Sequence, residues 1–193
     1  MILSKSDYLQ YLKQDKIALG IELKTSGQKL LNFVSPNPIY VFQKRLRKAE
    51  YYKNTNPKGI RKLYYLYLRY LLKKSSIKCG FSIPENVFGP GLAIVHYGAI
   101  VVNGEARIGA NCRIHSCTNI GASGGKKEAP IIGDNVYIAP GAKIYGKIKI
   151  ASNSAIGANA VVNKSFDEKG ILIAGNPAKK IKEIDIKRII KHI

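Results

Sequence analysis

The sequence predicts a mainly β protein, a parallel β-helix preceded by an α-helical region, and three observations carry that prediction. The spacing of apolar residues changes near residue 81, from a helical period to a period of six. Val102, Ile108, Ile114, Ile120, Ile132, Ile138, Ile144, Ile150, Ile156 and Val162 all fall at multiples of six and are all β-branched aliphatics. Four residues after most of them stands a small side chain: Ala106, Cys112, Thr118, Ala142, Ser154 and Ala160. Neither a helix nor an alternating strand has this period. Hexapeptide repeats do: three of them close one triangular coil, the aliphatic pointing inward and the small residue fitting near the corner.

Residues 1–80 form the helical region. Ser4 and Asp7 have the spacing of a capping box ahead of Tyr8, Leu9, Tyr11 and Leu12. The stretch FVSPNPIYVFQKRLRKAEYY, from Phe33, reads as a proline-marked turn followed by a basic helix. After the breaker Asn54–Gly59 comes IRKLYYLYLRYLLKK, which mixes tyrosine, leucine and basic residues at helical spacing. Two readings stand for it: a packed helix with a solvated basic face, or a helix that touches a membrane surface or a lipid-linked substrate.

Residues 81–178 form the repeat domain. Its early stretch GPGLAIVHYGAIVV holds His96, one of three histidines in the chain, inside an apolar run. A lone histidine there is ordinarily a core residue. One repeat slot is skipped, since register would place Lys126 inward and an unpaired lysine cannot be buried. GASGGKKEAP, residues 121–130, is therefore expected to leave the coil as a loop, and such loops tend to carry function. Counting 18 residues per coil places Gly121, Ala139, Gly157 and Gly175 in one column of small residues, which would leave a groove for an elongated ligand. The same count stacks Gly109, Lys127, Tyr145 and Asn163 along a second edge, and His115, Gly133 and Ala151 along the third. Residues 179–193 form a basic tail expected to be helical.

Composition bounds the functional classes. With 46% hydrophobic residues, 23% charged residues and a mean hydropathy of −0.10, the chain reads as a globular domain. No apolar run approaches the roughly 20 residues of a membrane span, and MILSKSDYLQYLKQDK is too polar for a signal peptide. Cys79, Cys112 and Cys117 lack metal-knuckle or disulfide spacing, so a cytoplasmic location is expected. The net charge of +20 is uneven: residues 1–80 hold 17 Lys/Arg against 4 Asp/Glu, residues 81–193 hold 15 against 8. Such a surface suits anionic partners, but no nucleic-acid motif is present.

GPGLAIVHYGAIVV, GASGG, VYIAPGAKIYGKIKI, IGANAVVNKSF and IAGNPAKKI together resemble the serine acetyltransferase group of hexapeptide-repeat acyltransferases, over roughly residues 81–182. Within that group the chain looks similar to acetyltransferases of capsular or exopolysaccharide synthesis, a likeness extended by YYKN and FSIPENVFGPG. The resemblance implies a left-handed β-helix, a homotrimer with active sites between subunits, acetyl-CoA as donor and no metal. It implies His96 as the general base that takes the acceptor hydroxyl's proton. Gly121, Ala122, Ala139 and Gly157 match positions lining the CoA groove. Asn176, Lys179 and Lys180 match the cap beside the cofactor, where the lysines could meet phosphates.

The departures from that family bear on the acceptor. Carboxylates of serine acetyltransferases are replaced by Val95 and Phe81, and the loop's arginine–histidine pair by Lys127 and Glu128. An amino-acid acceptor brings an ammonium group that would want those carboxylates. The expected reaction is therefore O-acetylation of a polysaccharide or its sugar precursor, with L-serine as the alternative acceptor. Glu128 is a candidate to orient the histidine of a neighbouring subunit. His115 and Tyr97 are candidates to bind acceptor. Rival classes are a three-histidine zinc enzyme, disfavoured by too few histidines, a sugar-nucleotide N-acyltransferase, and a non-enzymatic basic scaffold. His192, in KRIIKHI, is given no role.

Overall fold

The computed structural model describes residues 1–21 and 34–193. Phe33, first residue of the proline-marked segment, lies outside them. The helices with described bounds are α1 (Lys5–Ala18), α2 (Pro38–Asn54) and α3 (Ile60–Cys79). Ser4 caps α1 with the expected box, its side chain accepting from the Asp7 N–H at 3.0 Å while Asp7 accepts from the Ser4 N–H at 2.9 Å. Asn37 caps α2, ahead of Pro38 in the first turn. Gly80, at φ 76°, ends α3 in the left-handed conformation that glycine adopts without strain.

Past Gly80 the chain winds through five coils of a parallel β-helix with three faces. The first face is β1 (Phe81–Ser82), β3 (Ile100–Val102), β6 (Thr118–Gly121), β9 (Lys143–Tyr145) and β12 (Val161–Val162). The second is β4 (Arg107–Ile108), β7 (Ile131–Ile132) and β10 (Lys149–Ile150). The third is β2 (Ala93–Ile94), β5 (Arg113–Ile114), β8 (Tyr137–Ile138), β11 (Ala155–Ile156) and β13 (Ile171–Gly175), closed by the antiparallel β14 (Ala178–Glu183). All ten residues of the six-residue repeat are buried, none more than 4% exposed, and so are the six small residues that follow them. Each buried aliphatic contributes about 1.5–3 kcal/mol.

The helices close the first coil. Phe42, Leu46 and Ala49 of α2 pack with Phe81, Ile83, Val87 and Leu92, and the Phe42 and Phe81 rings meet edge to face at 5.0 Å. At the centre of this cap lies a fully buried arginine, Arg47. Its five N–H groups are all used: two donate to Asp15, one to Glu50, one to the Phe88 carbonyl and one to the Gly89 carbonyl. Asp15 and Glu50 in turn accept from the backbone N–H groups of Leu92 and Asn86, at 2.9 and 2.8 Å. Burial opposes the arginine's charge, but Glu50 and Asp15 outweigh it and hold the guanidinium protonated. Burial also pushes the Glu50 carboxyl up, against the pull of Arg47; with both its oxygens accepting hydrogen bonds, the geometry is that of a carboxylate. The cluster bolts α1 and α2 to residues 86–92, and nothing in the sequence spacing announces it.

The tail differs from expectation. Residues 178–183 form a strand and residues 186–188 a single 3-10 turn. The reason is that β13 would otherwise end the third face with open hydrogen-bonding groups, and β14 pairs with it from Ile171–Glu183 to Gly175–Ala178. Beyond it, Ile186 and Ile190 fold back onto Ala155, with Tyr137 and Leu172 alongside, and cover part of the third face's outer surface.

Candidate functional site

His96 lies just after β2, where the chain turns from the third face to the first. Four further coils place a residue at the equivalent corner. The Val95 N–H donates to the Ile114 carbonyl, His115 to Ile138, Ala139 to Ile156 and Gly157 to Ile173, at 2.8–3.1 Å. Val95, His115, Ala139, Gly157 and Ala174 thus form one column, and the hairpin turn bearing Asn176 continues from its end. Five coils at strand spacing give this edge a length of about 19 Å. His96 and Tyr97 are exposed at its upper end. The rings of His96 and His115 lie 5.9 Å apart, centre to centre, and Tyr137 meets His115 edge-on at 5.2 Å.

The structure brings His96, Tyr97, His115, Ala139, Gly157 and Asn176 to this edge, and places Gly121, Ala122 and Glu128 on another. Gly121 pairs with Tyr145 at the corner between the first and second faces. The loop leaves the coil there, with Lys126, Lys127 and Glu128 exposed as expected. Glu128 meets Lys147 at 3.5 Å on that same corner. Its own backbone N–H, then Lys147, hold its carboxyl below the usual range. Lys180 is engaged by Glu168 at 2.5 Å and also faces Glu183, so it is less available to a phosphate than Lys179.

The column containing Gly121, Ala139 and Gly157 is therefore corrected. The loop does not occupy a face; it adds six residues to one coil, which runs 24 residues from Gly121 to Tyr145. Its neighbours confirm the count. Asn111 donates to Asn135, and Asn135 to Asn153, in a ladder along the corner between the second and third faces. That corner, not the one near His96, carries the uniform stack of small residues: Gly89, Gly109, Gly133 and Ala151. The other two counted columns shift in the same way. The 24 residues from Asn111 to Asn135, then 18 to Asn153, were the signal in the sequence that would have given the true register.

Around His96 the electrostatics are uneven. Burial, then the nearby charges of Arg113 and His96, lower the affinity of His115 for a proton. Its Nε2 is a buried polar atom with no hydrogen-bond partner among the described residues. The Thr118 hydroxyl donates to the His115 carbonyl at 2.8 Å and fixes the turn. Among the described residues no carboxylate is paired with His96. Val95 is half-buried and Phe81 is in the core. Arg113, Tyr137 and His192 were missed by the sequence reading. Arg113 and Tyr137 precede inward aliphatics and point outward beside the site. His192 arrives by the folded-back tail, and burial and Arg113 lower its proton affinity too. No group of three or more His, Cys, Asp or Glu that could hold a metal ion occurs among the described residues.

Comparison with known proteins bears on these arrangements. A bacterial transferase hexapeptide model of six repeats matches residues 129–164. The chain is 38% identical over 92 residues to a serine acetyltransferase of Mycobacterium tuberculosis, covering 47% of this chain and 40% of that protein. It is 39% identical over 102 residues to one of Staphylococcus aureus, covering 52% and 47%. The matches thus span less than half the length of these curated relatives. Among solved structures, serine acetyltransferase from Brucella abortus strain S19 in complex with coenzyme A superposes with a TM-score of 0.74 at 26% identity, covering 93% of this chain and 70% of that one. The shared fold is the left-handed parallel β-helix. These likenesses are to serine acetyltransferases, and they do not show the closeness to polysaccharide-modifying enzymes expected from the sequence.

Proposed function

We propose that this chain is an acetyl-CoA-dependent O-acetyltransferase with His96 as general base. The observation that carries the reading is the straight edge on which Val95, His115, Ala139 and Gly157 line up, with the His96 ring beside that of His115 at 5.9 Å, in a fold shared with a relative that holds coenzyme A. Acetyl-CoA would lie along this edge with its thioester beside His96. The imidazole takes the acceptor hydroxyl's proton as that oxygen attacks the thioester carbonyl. The C–S bond breaks, the acetyl ester forms, and the imidazolium returns the proton to the leaving thiolate. Lys179, at the far end, is the better placed lysine for the cofactor's phosphates.

Glu128, Gly121 and Ala122 sit on a different corner from His96, so they serve the same site only across a subunit boundary. That supports a homotrimer in which each loop reaches a neighbour's edge, Glu128 acting as a positioning residue for its histidine. No described helix is long and apolar enough to cross a membrane.

For the acceptor, the relatives favour L-serine over the glycan hydroxyl expected from the sequence. A glycan remains the second reading on one observation: Phe81 is only 5% exposed and packs on Phe42, so this position offers an ammonium group nothing. The test is release of CoA thiol from acetyl-CoA with L-serine and with a panel of nucleotide sugars and oligosaccharides. Stimulation by L-serine that is lost in His96→Ala establishes the first reading. Stimulation by a sugar alone establishes the second. Release without any acceptor dependence, or unchanged in His96→Ala, would overturn both.

A further inference from the structure

We propose that the outward face of α3 docks on an anionic membrane surface. The helix runs 20 residues, about 30 Å, and contains six Lys/Arg and no Asp or Glu. Leu68, Leu72 and Cys79 are its buried side. At 3.6 residues per turn the diametrically opposite stripe is Leu63, Leu66, Tyr70 and Ile77. A solvent-facing helix surface should be polar at that point, yet Leu63 is 66% exposed and Ile77 73%. The stripe is flanked on both sides by cations: Lys62, Arg69 and Lys73 along one border, Lys74 and Lys78 along the other.

This order, apolar centre and basic borders, is what a helix lying in a lipid headgroup layer needs. Leucine, isoleucine and tyrosine enter the acyl boundary, and the lysine stems reach outward to phosphates. Lys74 already leans over the Tyr70 ring at 5.3 Å. Among the described residues the carboxylate paired with a cation of this helix is Glu85, mostly buried and held by Lys53 and the Tyr65 hydroxyl, with Arg69 at 3.9 Å. It offsets one cation on one border and leaves the rest. Charge complementarity also argues against the other occupants. Two copies of this face would set basic rows against basic rows, and nucleic acid offers no cover for the leucine stripe. This proposal is read by vesicle binding and the acetyl-transfer reading by thiol release, so the two fail independently.

The test is flotation of the full chain with phosphatidylcholine vesicles, with and without phosphatidylglycerol. Binding about tenfold stronger to the anionic vesicles, weakened by salt, is expected. Two double variants, Leu66→Glu with Ile77→Glu and Lys73→Glu with Lys74→Glu, should each lose that binding about tenfold, with melting temperature and sedimentation unchanged. A wild-type chain that does not float with anionic vesicles overturns the proposal, as do variants that float equally well. A Leu66→Glu/Ile77→Glu chain that sediments as a smaller species also overturns it, and gives the face to a second copy.

Discussion

Two corners of the same prism stack different side chains, one uniformly small and one mixed. Between the second and third faces, Gly89, Gly109 and Gly133 stack so closely that a Cβ on Gly109 would fall 2.8 Å from the Gly133 carbonyl carbon. Those glycines are demanded by backbone packing. Between the third and first faces the column is mixed: a Cβ on Gly157 would fall 2.8 Å from that of Ala174, yet higher up His115 finds room with an unpartnered nitrogen. A uniform run of glycines in a solenoid thus marks close turns, whereas the corner that admits an imidazole beside Ala139 and Gly157 is the one the proposed reaction would use.

The sharpest way to break this comparison is His96→Ala. It should lower turnover about 100- to 10,000-fold, the usual worth of a general base, with an unchanged melting temperature, since the ring is exposed. An equal loss on substituting the other corner would make the distinction empty. Next comes Glu128→Gln, expected to lower kcat about 10- to 100-fold, the range of a hydrogen bond to a charged group. Refolding it together with His96→Ala should restore activity, because some interfaces then combine one chain's histidine with another's glutamate. No recovery would place both residues' roles within one chain.

Gly109→Ala tests the packing corner. Forcing a methyl into the stacked backbone should cost about 1–3 kcal/mol of stability, read by denaturant unfolding, while the folded fraction keeps its turnover. The smallest effect concerns pH. His115 binds its proton less readily in the folded state than in the unfolded chain, whose imidazole titrates near 6.5. Below that value the unfolded state holds more protons, so stability falls as pH drops through the unfolded pKa. His115→Gln should flatten part of that acid-side slope, with His192 accounting for another part by the same sign.

The coils were legible because one chemical rule, an inward aliphatic every sixth residue, repeats from Val102 to Val162. The histidine edge was half legible. His96 stood out against its apolar surroundings, but which residues share its corner depends on how many residues the loop adds, and a period of six cannot distinguish a skipped slot from an inserted one. The tail misled because its lysines and isoleucines suit a helix, while the decisive influence was the unpaired edge of β13. The Arg47 cluster had no local signature: its partners come from α1, α2 and the first coil, and only the folded chain brings them together.

The loop after Gly121 is mounted in a particular way. The ladders beneath it close as though it were absent, with Asn119 donating to the Ala142 carbonyl before it and Ile131 to the Ile148 carbonyl after it. Chain length there is almost free, each doubling costing only about 0.6 kcal/mol of closure entropy. The prism behaves as a fixed handle and the loop as an exchangeable blade, so a loop of different length can be grafted there without refitting a single coil.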